Sequence, residues 1–460
     1  MSDTVQCAAL LLTSYASNQG KTTVTAALAH LFKQQGKQVR VFKIGPDYLD
    51  PKLLQIASGH PVYQLDLWMV GEQECRRLLF EAAAKADIIL VEGVMGLFDG
   101  VPSSADLAKL IGLPIAGIIN ASSMAQSLHA VAFGLANFDP ALNYVGTLAN
   151  CVASEKHASM IAEQATLLSS DSLDYLEHSR LLPYFPAYLG ALMRSPSIAI
   201  PSRHLGLQDA AELSDIQSLL KAGAEQISGT SLPHAPLAVA FSAPTQATDD
   251  CGAELSPKLL QGIKVAIARD LAFSFIYQAN IDCLEQMGAE LFYFSPLANQ
   301  ELPDVDALYL PGGYPELYLE QLEQNHNVMA SIERHAKAGK AIYAECGGML
   351  YLLEELTDAS GKSAKMIGLL KGRAHLQKRL AKLGYQQFDL AGGIIRGHTF
   401  HYSTATVEAE VIAQASHPQN NSQGEEMFRT GSITASYAHL YFSSNKKATA
   451  NFFRLNSHYE

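Results

Sequence analysis

Short apolar segments recur along this 460-residue chain, and most of them end at a loop that carries glycine or an acidic residue. The segments span residues 7–13, 39–44, 87–91, 114–120, 264–268, 290–294, 306–310 and 341–344. Longer helical stretches separate them, and this alternation is typical of a mostly parallel sheet covered by helices. The sequence therefore predicts an α/β fold in both halves, with a doubly wound parallel sheet in the first.

A shift in composition separates the two halves. From about residue 223 to 254 the chain is rich in Gly, Ser, Pro, Thr, His and Ala, and the apolar periodicity is lost, as in an interdomain linker. We therefore predict a first domain over residues 1–225, a linker over 226–258 and a second domain over 259–460. Hydrophobic residues make up 48% of the chain and charged residues 17%, which favours large buried cores over disorder.

The loop after the first apolar segment predicts a nucleotide site. It reads SNQGKTT over residues 17–23. Gly20 would let a phosphate approach the backbone, Lys21 would supply positive charge, and Thr22 could place its hydroxyl on Mg²⁺. We include Thr23 in this ATP-binding set. The alternative interpretation is an ordinary helix start.

Acidic residues close the next two apolar segments. Asp47 and Asp50 follow the second segment, while Glu92 and Asp99 follow the third. In a parallel sheet these strand ends lie beside the first loop. Carboxylates there can hold Mg²⁺ against nucleotide phosphates, the role favoured for Glu92 directly after its apolar strand, and Asp50 and Asp99 are candidate substrate contacts. Turn formation explains Asp99 equally well.

A cysteine in the second half predicts a nucleophile. Cys346 stands where an apolar strand ends, and two glycines and a helical run over 349–356 follow it. Such a strand-to-helix turn presents one side chain, and the helix N-terminus favours a thiolate. The glycine pair at 312–313 also follows a strand, so the backbone amides of Gly313 and Gly347 could form an oxyanion hole. A plain tight turn is the alternative for that pair.

A thiol nucleophile needs a base, and three downstream histidines could supply one. They are His398, His401 and His439. The order of cysteine and histidine along the chain is compatible with each of them. A lone histidine is more often structural than catalytic, so the pattern by itself leaves the choice open.

The net charge of −12 argues against nucleic acid as a partner and requires a local basic site for any anionic substrate. Arg203 and His204 lie in one basic cluster. Arg373 and Arg379 lie in another, a run over 362–382 with seven basic residues and no acid. Guanidinium groups can hold carboxylates with two hydrogen bonds, so these residues are candidate substrate contacts. A solvated basic face is the alternative.

Six scattered cysteines without a Cys-x-x-Cys pair favour a reducing, cytoplasmic compartment. No apolar run reaches the roughly 18 residues of a membrane helix. We therefore expect small-molecule partners rather than a membrane or a nucleic acid, and we allow for a homodimer.

Taken together, the motifs resemble the cobyrinic acid a,c-diamide synthase family over nearly the whole chain. They follow the order of that family: GKTT (20–23), KIGPDYLDP (43–51), EGVMGLFDG (92–100), RHLGL (203–207), FSPL (294–297), GGYPE (312–316), ECGGM (345–349) and GHTFHYS (397–403). The resemblance implies an N-terminal domain similar to dethiobiotin synthetase and a C-terminal class I glutamine amidotransferase domain. It also implies ATP- and glutamine-dependent amidation of the a- and c-acetate groups of cobyrinic acid, in cobalamin biosynthesis, with Mg²⁺.

The resemblance also implies roles for residues. Cys346 matches the glutaminase nucleophile, His439 its base and Gly313 an oxyanion donor. In the first domain Lys21 and Thr22 match the nucleotide loop, and Asp47 and Glu92 match the acids that bind Mg²⁺. Related class I enzymes have a glutamate two residues after this histidine, where the present chain has Tyr441. A Cys–His dyad is therefore implied, with the imidazole oriented by another group.

Two further positions depart from the family pattern. Asn18 stands where the nucleotide loop usually has glycine, and Thr399 where an acid is common. Each departure bears on a local role, nucleotide fit for Asn18 and an acidic side chain for Thr399.

Two rival functions remain at the level of sequence. The same amidation on hydrogenobyrinic acid or on a nickel sirohydrochlorin would use the same motifs. A P-loop switch ATPase with an inactive amidotransferase-like domain belongs to another class, and the presence of both Cys346 and His439 counts against it.

Overall fold

The computed structural model describes residues 4–171, 185–198, 202–203, 206–207, 215–244 and 258–454. At residues 169–171, 202–203 and 206–207 it describes the backbone alone. The chain divides into two compact units, Met1–Ala247 and Thr248–Glu460. No helix within the described ranges is both long enough and apolar enough to cross a membrane.

The first unit alternates strands and helices, as predicted. Its strands are β1 (Thr4–Thr13), β2 (Val39–Ile44), β3 (Tyr63–Leu65), β4 (Ile88–Glu92), β5 (Ile115–Asn120), β6 (Tyr144–Val152), β7 (Ala187–Met193), β8 (Ser202–Arg203), β9 (Gly206–Leu207) and β10 (Leu237–Ser242). Its helices are α1 (Lys21–Gln34), α2 (Asp50–Ser58), α3 (Glu72–Ala83), α4 (Ser104–Ile111), α5 (Ser127–Asn137), α6 (Glu155–Asp171) and α7 (Ile216–Ser228).

Seven of these strands form a parallel sheet in the order β3-β2-β4-β1-β5-β6-β7. Helix α1 buries Val24, Leu28 and Phe32 in one core with Leu10 and Leu90 of the sheet. The loops after β1, β2 and β4 meet at one edge, because neighbouring parallel strands end on the same side. This edge carries the predicted nucleotide loop and its acids.

The linker predicted over 226–258 begins inside the first unit. Helix α7 continues to residue 228, and β10 pairs antiparallel with β1 from Leu237 to Ser242. A composition rich in Gly, Ser and Pro does not reveal this strand, because backbone hydrogen bonds to β1 hold it in place. Residues 245–257 lie outside the described ranges.

The second unit has more strands than predicted. They are β11 (Lys264–Ala268), β12 (Glu290–Phe294), β13 (Ala307–Leu310), β14 (Ala341–Glu345), β15 (Glu355–Thr357), β16 (Ser363–Lys365), β17 (Gly372–Leu376), β18 (Lys382–Leu390), β19 (Gly393–His401), β20 (Ser403–Val407), β21 (Glu410–Ser416), β22 (Gln423–Thr430), β23 (Ile433–Ser436) and β24 (His439–Leu440). Its helices are α8 (Gln278–Gln286), α9 (Leu319–Gln324), α10 (His326–Lys337), α11 (Gly347–Leu352) and α12 (Lys446–Phe453).

A ten-stranded sheet runs in the order β12-β11-β13-β14-β23-β22-β21-β18-β19-β24. The first four of these strands are parallel, as predicted, β23 adds a fifth, and the remaining pairings are antiparallel. The expectation of a mostly parallel sheet therefore holds for only half of it. Short connections such as the two-residue turn between β18 and β19 permit only antiparallel pairing. A second sheet contains β16-β15-β17-β20.

Candidate active sites

The loop from β1 to α1 depends on two residues with left-handed backbone. Gly20 has φ 88°, and a methyl group added there would lie 2.1 Å from Asn150 Nδ2. Asn18 has φ 61°, in the region that asparagine tolerates better than most residues. The departure from glycine at residue 18 is therefore compatible with the turn of this loop.

Lys21 joins two loops of the first unit. Its Nζ donates to the carbonyl oxygens of Ala16, at 3.0 Å, and Met95, at 2.6 Å. Burial, followed by the charge of Lys43, lowers the pKa of Lys21 to about 8. Thr23 follows in the first turn of α1. The Lys21 ammonium group therefore lies against the nucleotide loop, where its charge can attract phosphate.

Thr22 lies in a buried cluster of opposite charges. Its hydroxyl oxygen lies within hydrogen-bond distance of both Asp50 Oδ2, at 3.0 Å, and Glu92 Oε1, at 2.8 Å. Lys43 Nζ donates to the same two oxygens, at 2.6 Å each. Asp50, predicted as a substrate contact, thus shares the position of the predicted metal ligands. Lys43 was not predicted, although a lysine inside the apolar strand β2 is a usable signal.

Asp47 lies beside this cluster. Its Oδ1 accepts hydrogen bonds from the amides of Leu49, at 2.9 Å, and Asp50, at 3.2 Å, while its Oδ2 lies 3.4 Å from Lys43 Nζ. Burial, followed by the charge of Asp50, raises the pKa of Asp47 to about 7. Two of the three predicted Mg²⁺ ligands, Thr22 and Glu92, are in direct contact with each other. The third, Asp47, contacts Lys43 instead.

Two remaining acids differ in their surroundings. Burial raises the pKa of Glu92 to about 7, against the opposing charge of Lys43. Its Oε2 is buried and has no hydrogen-bond partner within the described residues. Asp99 Oδ2 accepts a hydrogen bond from the Gly96 amide at 2.9 Å, which is the geometry expected of a turn residue.

In the second unit Cys346 forms the predicted elbow. It follows β14 directly, has φ 42° and ψ −109°, and precedes α11. Helix α11 ends at Leu352 rather than at 356, because 355–357 pair as β15. Burial, followed by the charge of Glu316, raises the pKa of the Cys346 thiol. The expected preference of the helix N-terminus for thiolate is therefore outweighed, and the resting group is a neutral thiol.

Glycines bring the elbow and the base together. A methyl group added at Gly312 would lie 2.2 Å from His439 Cε1 and 3.4 Å from Cys346 Cβ. One added at Gly347 would lie 2.9 Å from the Gly313 nitrogen. The two predicted oxyanion donors thus belong to loops in close contact, beside the predicted nucleophile and base.

The three candidate histidines occupy different environments. His439 lies in β24 opposite His398 of β19, with ring centroids 5.2 Å apart. His401 Nδ1 lies 2.7 Å from Ser403 O, and its Nε2 lies 3.2 Å from Glu425 Oε1. Both nitrogens of His401 thus face local partners. Burial, followed by the charges of the other two histidines, lowers the pKa of His439, so its resting imidazole is neutral.

An acid that the sequence analysis missed lies beside His439. Glu345 Oε2 is 3.9 Å from His439 Nδ1, and both side chains are 1% exposed. Tyr441, at the position of the usual glutamate, packs its ring 6.0 Å from that of Tyr277. The sequence carried a signal for Glu345, since it is an acid that ends an apolar strand and directly precedes the nucleophile.

A second acid compensates for the departure at residue 399. The Thr399 hydroxyl donates to Glu425 Oε1 at 3.0 Å, and His401 approaches the same oxygen. The carboxylate near His401 therefore comes from β22 rather than from the chain between the two histidines.

Of the four basic candidate substrate residues, two are described with their side chains. Arg373 on β17 and Arg379 in the bend after it are exposed. Two lysines of the same basic run form ion pairs, Lys362 with Glu320 and Lys382 with Glu425. Arg203 lies in the short strand β8, where the backbone alone is described, and His204 lies outside the described residues.

Comparisons with known proteins match both units. Residues 10–186 match the CobQ/CobB/MinD/ParA nucleotide binding domain, and residues 264–447 match the CobB/CobQ-like glutamine amidotransferase domain. The hydrogenobyrinate a,c-diamide synthase of Pseudomonas aeruginosa is 49% identical over 445 residues, which cover 97% of each chain. That of Stutzerimonas stutzeri is also 49% identical, over 97% of this chain and 99% of its own. The cobyrinate a,c-diamide synthase of Herminiimonas arsenicoxydans is 43% identical over 96% of each chain.

Proposed function

This chain belongs to the family of hydrogenobyrinate and cobyrinate a,c-diamide synthases, and we propose that it uses ATP and glutamine to amidate the a- and c-acetate carboxylates of a corrinoid. The observation that carries the proposal is the approach of Cys346 and His439 over Gly312. The nucleotide loop with its buried acids, in the other unit, supplies the second half of the chemistry.

The second unit releases ammonia from glutamine. The sulfur of Cys346 attacks the amide carbon while its proton passes to His439, which then protonates the departing ammonia. A thioester results, and water activated by His439 hydrolyses it to glutamate. Because burial keeps both resting groups neutral, the proton moves as the sulfur attacks. The amides of Gly313 and Gly347 stabilise the oxyanion.

The first unit activates the carboxylate. The γ-phosphoryl group of ATP passes to a carboxylate oxygen, forming an acyl phosphate and ADP. Ammonia attacks the acyl carbon, phosphate leaves, and an amide remains. Lys21 stabilises charge on the phosphates from inside the loop, at its lowered pKa of about 8.

The residues around Thr22 fit a Mg²⁺ ion. Thr22, Asp50 and Glu92 offer oxygens, and Glu92 Oε2 is a buried acceptor without a hydrogen-bond partner among the described residues. Lys43 neutralises only one of the two carboxylates. Within the described ranges no three His, Cys, Asp or Glu side chains form a metal centre, so phosphate and water would complete the ligand set. A bound Mg²⁺ would offset negative charge on the transferred phosphoryl group.

The ring that receives the amides is cobyrinate or its metal-free counterpart, hydrogenobyrinate. The family resemblance of the sequence implies cobyrinate, and the same motifs would serve hydrogenobyrinate. The two relatives at 49% identity are named as hydrogenobyrinate synthases, whereas the cobyrinate synthase of Herminiimonas arsenicoxydans is 43% identical. The higher identity favours the metal-free ring. We also place the reaction in the cytoplasm, since the five cysteines of the described ranges are free thiols. The homodimer stays a prediction.

The decisive experiment separates the two nitrogen sources. Cys346→Ser should lose amidation with glutamine and retain it with high ammonium, measured by mass spectrometry of the corrinoid product. Hydrogenobyrinate, cobyrinate and nickel sirohydrochlorin incubated in parallel identify the substrate. Loss of both activities in a folded variant would contradict the two-site scheme, and a wild type without glutaminase activity would favour the switch ATPase.

A further inference from the structure

We propose that Glu345 positions His439 for the glutaminase half-reaction and supplies the acid that Tyr441 does not. This inference rests on the proposed function, since it concerns the base of that reaction. The carboxylate that precedes the nucleophile selects the tautomer and the orientation of the imidazole.

The geometry places the carboxylate on one nitrogen of the ring. Glu345 Oε2 lies 3.9 Å from His439 Nδ1, longer than a direct hydrogen bond. Catalytic hydrogen bonds are often long before substrate binds and shorten afterwards. If Nδ1 carries its proton toward Glu345, the lone pair lies on Nε2, and in this proposal Nε2 receives the thiol proton.

Glu345 is itself held firmly. Tyr309 donates its hydroxyl to Oε2 at 2.7 Å, and Tyr343 donates to Oε1 at 2.9 Å. The Leu440 amide also donates to Oε1, at 2.9 Å. Leu440 follows His439 directly, so the same carboxylate fixes the backbone beside the base. The strand that presents the nucleophile is thereby tied to the strand that presents the base.

The charge of Glu345 has a role during proton transfer. When His439 accepts the thiol proton it becomes a cation in a buried site, which burial alone disfavours. A carboxylate 3.9 Å away stabilises that cation. Burial raises the pKa of Glu345 to about 7, so the group is partly ionised near neutral pH, and the cation would increase its ionisation.

A purely structural role for Glu345 is the competing explanation. In that case the carboxylate would only hold β24 in place through the Leu440 amide. Glutamine keeps an oxygen acceptor for that amide but has no charge and brings an NH₂ group toward the imidazole. Glu345→Gln therefore separates the two explanations, and Glu345→Asp, which keeps the charge, should restore part of the activity.

Kinetics provide the first arm of the test. Glu345→Gln should lower glutaminase kcat about 100-fold, as expected for a disturbed general base, with the glutamine KM within about twofold. Amidation with ammonium should stay near the wild-type rate. Glu425→Gln, which changes a buried glutamate beside His401 instead, is the matched control and should lower kcat only a few-fold. An unchanged kcat in folded Glu345→Gln would overturn the proposal.

Nuclear magnetic resonance of the full chain with ¹⁵N-labelled histidine provides the second arm. The His439 ring signals, assigned by their loss in His439→Asn, should show the Nδ1–H tautomer in the wild type and a changed tautomer ratio in Glu345→Gln. This measurement needs no turnover, so it decides the role of Glu345 even if the wild type hydrolyses no glutamine and the proposed function fails. If Glu345→Gln does not fold, Tyr343→Phe, which removes one donor to the carboxylate, should show a smaller shift in the same direction. An unchanged ratio would overturn the proposal.

Discussion

Replacing Lys43 by methionine should destabilise the first unit by an amount that depends on pH. The ammonium lies 2.6 Å from Asp50 Oδ2 and 2.6 Å from Glu92 Oε1, and the lysine side chain is 4% exposed. Methionine keeps much of the apolar stem and removes the charge, so two buried carboxylates lose their shared cation. Removal of one partner from a buried ion pair costs about 3–5 kcal/mol.

The direction of the pH dependence follows from the two acids. Burial alone would raise the pKa of Asp50, but Lys43 holds it below its usual range. Without Lys43 the pKa of Asp50 rises above the unfolded value of about 3.9, and the pKa of Glu92, already about 7 and above its unfolded value of about 4.3, rises further. The folded variant then binds protons that the unfolded chain releases, and its stability falls as pH rises above about 4. The cost is smallest near pH 4 and reaches about 4 kcal/mol above neutral pH.

Differential scanning calorimetry of the full chain measures the effect. For a unit of this size, about 4 kcal/mol corresponds to a Tm lower by about 8–16 °C. We expect this loss of Tm at pH 7.5 and at most half of it at pH 5. The transition of the first unit is identified as the one that ATP shifts.

Lys21→Met is the matched control for that measurement. Lys21 bonds to carbonyl oxygens rather than to acids, and its pKa of about 8 lies above the tested range. Its loss of Tm should therefore be similar at both pH values. A loss for Lys43→Met that is equal at pH 5 and pH 7.5, or below 2 °C at pH 7.5, would refute the reasoning, since this cutoff corresponds to less than about 1 kcal/mol.

Three further outcomes are expected. Gly312→Ala should lower glutaminase kcat at least about 100-fold and spare ammonium-dependent amidation, because its methyl would lie 2.2 Å from His439 Cε1. Gly20→Ala should weaken ATP binding at least about tenfold by calorimetry, since its methyl would lie 2.1 Å from Asn150 Nδ2 at a left-handed φ. Arg379→Ala should raise the corrinoid KM and leave glutaminase kcat unchanged, whereas an equal KM would remove this residue from the substrate site.

Strand positions were predictable because their signal is local. The predicted ranges of β2, β11 and β12 agree with the structure, and β14 differs by one residue. Each contains four apolar residues and ends at a change of composition. The antiparallel half of the large sheet gave no comparable signal, since its strands are half exposed and mix polar with apolar residues.

Pairings between distant residues were not predictable in the same way. Asp47 and Asp50 are both acids in one loop, and only its folding shows that Asp50 meets Thr22 while Asp47 bonds to nearby amides. Glu345 and His439 lie 94 residues apart in the chain. Their proximity requires β14, β23 and the turn into β24 to be in place.

The sequence by itself determined the local chemistry: a glycine and a lysine where a phosphate loop needs them, and a cysteine at a strand-to-helix turn. These features depend on backbone conformations that a few neighbouring residues specify. Only the tertiary structure decided which charges meet, because carboxylates on separate strands come together when sheets form. Burial in those sheets also decided the protonation of Cys346, His439 and Glu345, since the loss of water sets their pKa values.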